Sequence, residues 1–245
     1  MCTVSIVPLT DGLRLVCNRD ESRLRAIARP PEIVDVDGVR VVMPTDPDSD
    51  GTWIAGSEQG VAFAVLNLNI DLSQAAPPIA RSRGGIIPQL LMCHSVDEAT
   101  AALERLPGDA YRPFRLIVAA AGVVAELRQS PPFAFRQLLT APLMFTSSGL
   151  GDHLVEAPRR ELFDRIMAEG EAGPSAWPEK QDRFHAHQWP AQRHISVTME
   201  RPEASTVSRT VLQIEGDRVH MEYSAVGQKR QNVTVIELYR SQRSR

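Results

Sequence analysis

Cysteine, excess positive charge and long apolar runs are all scarce in this 245-residue chain. Its three cysteines form no C-x-x-C pair and no disulfide framework, which favours a reducing compartment. The formal net charge of −3 gives no basic excess for binding nucleic acid phosphates. No apolar run approaches the ~18 residues of a transmembrane helix, and no secretory signal is expected. These absences predict a cytoplasmic protein with no membrane span and no nucleic acid partner.

The hydrophobic pattern of the first half is typical of β-structure. Short β-branched and apolar runs at 3–8 and 13–18 flank the turn residues Thr10-Asp11-Gly12 and predict a hairpin. By the same criteria, further strands are expected at 39–43, 52–56, 61–67, 115–121, 123–128, 145–148, 206–215, 218–223 and 232–239.

Helical periodicity interrupts these strands. Residues 83–93, 95–106 and 158–168 favour helices, with Ser95 and Glu98 at capping-box spacing and Pro158 expected in a first turn. Residues 170–190 carry prolines, glycines and two tryptophans and predict a loop or insertion. Strands, then helices, then strands indicate an α+β or layered α/β fold, expected as one domain over residues 2–245.

Cys2, which directly follows Met1, is the most informative residue of the chain. Because cysteine is small, we expect methionine aminopeptidase to remove Met1 and leave a thiol and a free α-amine on one residue. Such an amine can act as the base for its own nucleophile. An unperturbed α-amine titrates near ~7.7–8.0, which suits general-base work at neutral pH. The alternative is that Cys2 only adds a small apolar side chain to the first strand.

The tetrapeptide Asn18-Arg19-Asp20-Glu21 ends the second predicted strand. A hairpin would return this end to the start of the chain, beside Cys2. A guanidinium there would lower the pKa of the thiol, and a carboxylate could orient the α-amine. Without the thiol, the same residues would be a polar strand end in solvent.

Several blocks, in the same order along the chain, together resemble the NRDE family, which is the family of TANGO2-like (transport and Golgi organisation protein 2-like) proteins. The resemblance spans nearly the whole chain, and several blocks in order are more specific than any one of them. The matching blocks are Met1-Cys2, Asn18-Arg19-Asp20-Glu21, Gly51-Thr52-Trp53-Ile54-Ala55, Arg81-Ser82-Arg83-Gly84, Pro158-Arg159-Arg160 and Ser208-Arg209-Thr210.

This family is in turn similar to the N-terminal-nucleophile (Ntn) hydrolases, most nearly the choloylglycine hydrolase and penicillin V acylase branch. The resemblance implies a four-layer αββα sandwich, in which two antiparallel sheets face each other between helices. It also implies catalytic roles for Cys2 as nucleophile, Arg19 and Asp20 beside it, Asn67 in the oxyanion hole, and Arg209 as a late-chain arginine next to the thiol.

One departure from the hydrolase pattern concerns a second asparagine, expected at the end of a mid-chain strand. The corresponding segment here, 145–149, offers Ser147 and Ser148 instead. A hydroxyl has one donor where an amide has two, and losing one oxyanion contact can cost ~3 kcal/mol of transition-state stabilisation. The site is therefore interpreted as slow, differently tuned or no longer catalytic.

The resemblance implies a reaction in which the Cys2 amine takes the thiol proton and the thiolate attacks an amide carbonyl. We therefore predict an N-terminal-cysteine amidohydrolase that cleaves a linear amide of a small acylated metabolite, without a cofactor. The alternative is a non-catalytic haem or lipid carrier that keeps the fold. Residues expected to support the site or bind substrate are Asn18, Glu21, Trp53, Asn69, Arg83, Ser147 and Ser148.

Other polar residues give weaker indications. Asn69 shares strand parity with Asn67, although the block match favours Asn67. No metal site is predicted, because no cysteine or carboxylate completes a ligand spacing with the histidines of residues 185–194, which are expected to pack at the surface. Cys17 and Cys93 are expected in the core. The arginines Arg81, Arg83 and Arg115 are expected on a solvated surface, with contact to an anionic substrate as the alternative.

Overall fold

The structure is a computed structural model that describes residues 2–69, 81–107, 110–129, 132–226 and 233–240. Within these ranges the chain forms strands and helices with the following bounds: β1 (Cys2–Leu9), β2 (Gly12–Ser22), β3 (Arg29–Val36), β4 (Val39–Thr45), β5 (Ile54–Ser57), β6 (Ala62–Asn67), α1 (Val96–Leu103), β7 (Phe114–Ala120), β8 (Val123–Gln129), β9 (Pro132–Leu138), β10 (Leu143–Thr146), α2 (His153–Ala168), α3 (Trp177–Ala186), β11 (Ala204–Glu215), β12 (Arg218–Ala225) and β13 (Val233–Tyr239).

Two antiparallel sheets lie face to face. One has the order β10-β1-β2-β11-β12-β13, and the other runs β3-β4-β5-β6-β7-β8-β9. Helices α2 and α3 cover the outer face of the first sheet, and α1 contacts β7 and β8 on the second. The fold is thus an α+β sandwich of four layers, αββα, as predicted.

Successive side chains of β1 point alternately toward the second sheet and toward the helices α2 and α3. Cys2, Val4 and Ile6 belong to the main apolar cluster, which is shared with the second sheet. Val7 belongs to a smaller cluster with α2 and α3, and Ser5 hydrogen-bonds α3. A residue's place in the pleat therefore decides whether it can reach a site between the sheets.

Two edge strands, β3 and β9, were not predicted from the sequence. Both lie at the outer edges of the seven-stranded sheet, where a strand needs little apolar surface and tolerates proline. Strand β3 contains Pro30 and Pro31, and the described side chains of β9 are mostly exposed. Both strands therefore lack the apolar alternation by which the others were recognised.

Two of the predicted helices differ from those in the structure. The helix expected at 83–93 is a pair of short 3-10 turns, because Gly84, Gly85 and Pro88 disfavour a continuous α-helix. Helix α2 begins at His153, so Pro158 lies inside it and not in the first turn. In the described part of the chain, none of the helices combines the length and apolarity needed to cross a membrane.

Helix α3 lies within residues 170–190, which were predicted to be a loop. That prediction was wrong because the buried face of α3 is largely polar. Gln181 Nε2 donates to the Ser5 carbonyl oxygen at 3.0 Å, and His185 Nε2 lies 2.7 Å from Ser5 Oγ. Lys180 Nζ donates to the Met167 carbonyl oxygen at 3.1 Å. Hydrogen bonds thus replace the apolar stripe that would have marked the helix.

Candidate active site

Cys2 lies at the inner end of a cavity between the two sheets. The cavity has a volume of about 490 Å³ and is lined by Cys2 together with Arg19, Trp53, Asn67 and Arg83 among others. The Cys2 side chain is only 4% exposed. A reactive group at this place is reached through the cavity and is otherwise enclosed by protein.

The first hairpin brings Cys2 and Arg19 together. Leu9 pairs with Gly12 across a two-residue turn, so counting back along both strands places Cys2 opposite Arg19. The same register places Cys17 opposite Val4, on the face that carries Cys2. Cys17 is a buried core residue, as predicted, and its place beside Cys2 was not recognised from the sequence although the hairpin register implies it.

Cys17 is the main influence on the Cys2 thiol. Its side-chain hydrogen bond to Cys2 lowers the pKa of the Cys2 thiol, and Arg19 contributes in the same direction. Burial and the Asp20 carboxylate oppose them, but the net shift of this pKa is downward. The pKa of Cys17 is raised well above its usual value by the same hydrogen bond and by burial. Of the two thiols, Cys2 is therefore the one that ionises more readily.

Ser147 holds the nitrogen of Cys2. The Cys2 nitrogen donates to Ser147 Oγ at 3.0 Å, and the Ser147 backbone nitrogen donates to the Cys2 carbonyl oxygen at 2.9 Å. This Cys2 nitrogen would be the α-amine after removal of Met1. A serine at the expected asparagine position thus contacts the atom that a self-activated cysteine needs as its base.

A charged cluster fixes the Arg19 guanidinium. Arg19 donates to the buried Asp46 carboxylate at 2.5 Å and to Glu21 at 3.4 Å, and its Cζ lies 4.2 Å from the Trp53 ring centroid. Arg25 also donates to Asp46, at 2.7 Å. Asp46 and Arg25 were missed because they lie between predicted strands with no motif to mark them.

The two candidate asparagines occupy different surroundings. Asn67 ends β6 and lines the cavity, and its amide makes no hydrogen bond to another residue in the described ranges. Asn69 instead donates from its backbone nitrogen to Asp152 Oδ2 at 2.9 Å, with its side-chain amide 3.4 Å from Oδ1. Of these two asparagines, only Asn67 is placed to contact a bound ligand.

Asp20 is buried on the helix side of the first sheet. Its carboxylate accepts a 2.6 Å hydrogen bond from Thr206 Oγ1. Burial raises the pKa of the Asp20 carboxyl, against the opposing effects of the Arg159 guanidinium and the Thr206 hydrogen bond. It follows Arg19 in the strand, so it lies near the chain start but faces the other layer.

Three further predicted site residues, Arg209, Asn18 and Ser148, also lie outside the cavity lining, which likewise lacks Ser147 and Asn69. Arg209 was expected next to the thiol, but its guanidinium pairs with Asp182 of α3. It lies opposite Asn18 in the sheet, and the pleat turns both side chains toward the helices. Asn18 Nδ2 donates to the His185 carbonyl oxygen at 2.8 Å. Ser148 Oγ accepts from Arg201 at 3.0 Å. Arg209 and Asn18 thus join the first sheet to helix α3, and Ser148 contacts a neighbouring loop.

His185 is a buried residue and not the surface residue expected from the sequence. Its ring contacts Ser5 Oγ and lies 3.0 Å from Asn18 Oδ1. Burial, followed by the charges of Arg209 and Arg14, holds the pKa of His185 well below its usual range. The ring is therefore a neutral hydrogen-bonding group between α3 and the first sheet.

Arginines line the outer part of the cavity. Arg81 and Arg112 are exposed and Arg83 is half-buried, and all three contribute to the lining. Arg115 was considered with Arg81 and Arg83, but it is buried and pairs with Glu126 at 2.8 Å. Arg112, which was not predicted from the sequence, lines the cavity, whereas Arg115 does not.

Solved structures with the same architecture define the class of this fold. An N-acylethanolamine-hydrolyzing acid amidase ortholog from Caenorhabditis elegans has a TM-score of 0.58 at 15% identity, with 86% of this chain and 92% of that chain covered. A penicillin V acylase from Agrobacterium tumefaciens has a TM-score of 0.54 at 14% identity, with 97% and 86% covered. A conjugated bile acid hydrolase from Clostridium perfringens has a TM-score of 0.54 at 12% identity, with 97% and 92% covered. The fold is that of the Ntn hydrolases.

The family follows from the sequence itself. The sequence pattern of the family described as Transport and Golgi organisation 2 matches residues 1–150. The chain belongs to this family, which confirms the resemblance carried by the blocks within residues 1–150. The blocks at 158–160 and 208–210 lie beyond the matched residues. A comparison with curated proteins finds no match.

Proposed function

We propose that this protein is an N-terminal-cysteine amidohydrolase that cleaves a linear amide of a small acylated metabolite. The observation that carries the proposal is the position of Cys2. Its thiol lines a cavity between the sheets, and its nitrogen is held by Ser147. The fold shared with three amide-cleaving enzymes supports this reaction class.

The proposed reaction begins after Met1 has been removed. The α-amine of Cys2 takes the thiol proton, and the thiolate forms a bond to the amide carbonyl carbon. The Asn67 side chain donates to the resulting oxyanion. The ammonium then gives its proton to the leaving nitrogen as the carbon–nitrogen bond breaks. Water, deprotonated by the amine, cleaves the thioester and restores the thiol.

The residues around Cys2 support the proposed reaction in different ways. Arg19 favours the thiolate, and Asp46 holds Arg19 in place. The Cys17 thiol donates to Cys2, a contact that stabilises the ionised form of the nucleophile. Asp20 is proposed to favour the protonated amine at the start of the chain. Arg209 is assigned no contact with the reacting atoms, because Asp182 engages its guanidinium.

The cavity fits a small polar substrate better than a haem or a lipid chain. Its volume of about 490 Å³ lies within the range of small-molecule sites, ~300–1,000 Å³. Most of its lining side chains are charged or polar, with Trp53 and Val65 as the large apolar exceptions. A macrocycle or a long lipid chain would need a more apolar surface than a small acylated metabolite does, so the carrier hypothesis is the weaker one.

A panel of fluorogenic N-acyl aminocoumarins with short, long and charged acyl groups tests the proposal. Wild-type protein should release the fluorophore from at least one member, and Cys2→Ala should abolish release while keeping the far-ultraviolet circular dichroism spectrum. Cys93→Ala is the matched control, because Cys93 lies outside the cavity lining. Full turnover by Cys2→Ala would contradict the mechanism. Stoichiometric binding of haem or fatty acid without turnover would favour the carrier.

A further inference from the structure

The charged side chains that line the cavity fall into two groups, one with ion-pair partners and one without them among the described residues. Its carboxylates, Glu21, Asp46 and Asp48, all lie within ion-pair distance of Arg25, and the first two also pair with Arg19. The remaining lining arginines, 81, 83 and 112, form no ion pair with a carboxylate in the described ranges. This part of the lining therefore carries uncompensated positive charge.

The backbone holds the three arginines in one place. Arg81 donates from its backbone nitrogen to the Ala110 carbonyl oxygen at 2.8 Å and forms an isolated bridge with Tyr111. This bridge brings Arg81 alongside Arg112. Arg83 Nη1 donates to the Pro113 carbonyl oxygen at 3.1 Å, on the far side of Arg112. The cluster is thus built on two chain segments joined by hydrogen bonds.

Arg83 and Arg112 repel each other at this site. Burial and, next, the charge of Arg112 lower the pKa of Arg83. Like charges in a partly buried position are costly unless a counter-charge approaches them. A bound anion would supply that counter-charge.

A buried donor beside the cluster also lacks a partner. Trp53 is 6% exposed and lines the cavity, and its Nε1 makes no hydrogen bond to any described residue. The Thr52 backbone nitrogen donates to the Gly84 carbonyl oxygen at 3.0 Å, which ties the Trp53 segment to that of Arg83. Indole nitrogens usually find a partner when buried, and this one has none among the described residues.

We propose that Arg81, Arg83 and Arg112 form an anion-binding site at the outer end of the Cys2 cavity, and that the substrate is an amide carrying a carboxylate or phosphate group. The statement about the substrate rests on the proposed amidohydrolase function, whereas the anion site does not. Arg81 and Arg112 are exposed and Cys2 is buried. The anionic group would therefore bind at the cavity entrance, with the scissile amide further in.

Two alkylating reagents of nearly equal size test whether the site attracts anions toward Cys2. Iodoacetate is negatively charged and iodoacetamide is neutral, and both react with the thiolate. The ratio of their rates at Cys2 therefore cancels any change in thiolate fraction. This ratio should fall about three- to tenfold in Arg83→Gln and in Arg112→Gln, because each loses one nearby positive charge.

Arg136→Gln is the matched control for the alkylation ratio. Arg136 is exposed, pairs with Asp97 and does not line the cavity. Its replacement should leave the ratio unchanged. An unchanged ratio in both cavity variants, or an equal fall in Arg136→Gln, would overturn the proposal.

Calorimetric titration of Cys2→Ala protein tests the anion site without any reaction at the thiol. Hexyl phosphate and hexanoate are compared with hexan-1-ol, and the tighter-binding anion identifies the group that is recognised. Binding of either anion should weaken about tenfold in a Cys2→Ala, Arg83→Gln double variant compared with Cys2→Ala alone. The affinity for hexan-1-ol, which carries no charge, should be the same in both proteins. Absence of anion binding, or equal binding of hexan-1-ol, would overturn the anion site. Inactivity of the wild type toward amides would instead contradict the proposed function alone.

Discussion

The nitrogen of Cys2 and the hydroxyl of Ser147 lie 3.0 Å apart, and the Ser147 nitrogen returns a 2.9 Å hydrogen bond to the Cys2 carbonyl oxygen. This reciprocal pair fastens the start of β1 to the end of β10. It gives the serine a specific role at a position where the hydrolase pattern has asparagine. The hydroxyl orients the nitrogen that would serve as the base.

Replacing Ser147 with alanine should slow the chemistry at Cys2 without unfolding the protein. The Cys2 nitrogen would lose its buried acceptor, a loss of about 1–3 kcal/mol. We expect a roughly tenfold lower rate of iodoacetamide labelling at Cys2 near neutral pH, measured by peptide mapping. Ser95→Ala removes a hydroxyl from a distant helix cap and should leave this rate unchanged. An unchanged rate in Ser147→Ala would contradict the role given to the hydroxyl.

Cys17 should control the acidity of the Cys2 thiol. Cys17→Ala removes the donor that lowers the pKa of Cys2, so the pH midpoint of Cys2 alkylation should rise. Cys17→Ser keeps a hydroxyl donor and should restore part of the shift. The midpoint is measured from labelling rates between pH 5 and 10, with Cys93→Ala as control. A midpoint equal to that of the wild type in Cys17→Ala would refute the contact.

The buried imidazole of His185 should make the stability of the folded protein depend on pH. The unfolded chain binds a proton at this imidazole below about pH 6.5, whereas burial keeps the folded form neutral. Stability should therefore be fully present above this pH and decrease on acidification, with a slope approaching ~1.4 kcal/mol per pH unit. Urea unfolding of wild type and His185→Gln between pH 5 and 7.5 measures the slope, which should be flatter in the variant. The exposed His94 supplies the control His94→Gln, which should retain the slope.

Gly51 and Gly84 hold the cavity wall together by close backbone approach. A Cβ at Gly51 would lie 2.4 Å from the Gly84 carbonyl carbon, a contact that no side-chain rotation can relieve. Gly51→Ala should lower the free energy of unfolding by about 1–3 kcal/mol and slow Cys2 labelling. Gly85→Ala is the matched control, because its Cβ would meet nothing within 4 Å. Equal unfolding midpoints for the two variants would contradict this packing.

Much of the site could be predicted where local geometry determined it. The turn at Thr10-Asp11-Gly12 places the end of β2 beside Cys2, and the paired register follows from counting. The family pattern supplied Asn67, and this residue lines the cavity that contains Cys2. These inferences needed only strand pairing and spaced motifs.

The remaining features depended on which face of a strand meets which layer. Arg209 was expected beside the thiol, yet one step of the β pleat turns it toward Asp182. Helix α3 has a buried face made of hydrogen-bonding side chains, so hydrophobic periodicity did not reveal it. Asp46 and Arg112 reach the cavity through tertiary contacts between distant segments. No local pattern in the sequence encodes such contacts.

The intact mass of the purified protein before and after brief iodoacetamide treatment, with the label mapped to peptides, tests whether Cys2 is an N-terminal nucleophile. We expect loss of Met1 and a single fast label on Cys2 near neutral pH, with Cys17 and Cys93 reacting much more slowly. Retention of Met1, or a Cys2 that reacts no faster than the other two cysteines, would contradict an N-terminal nucleophile.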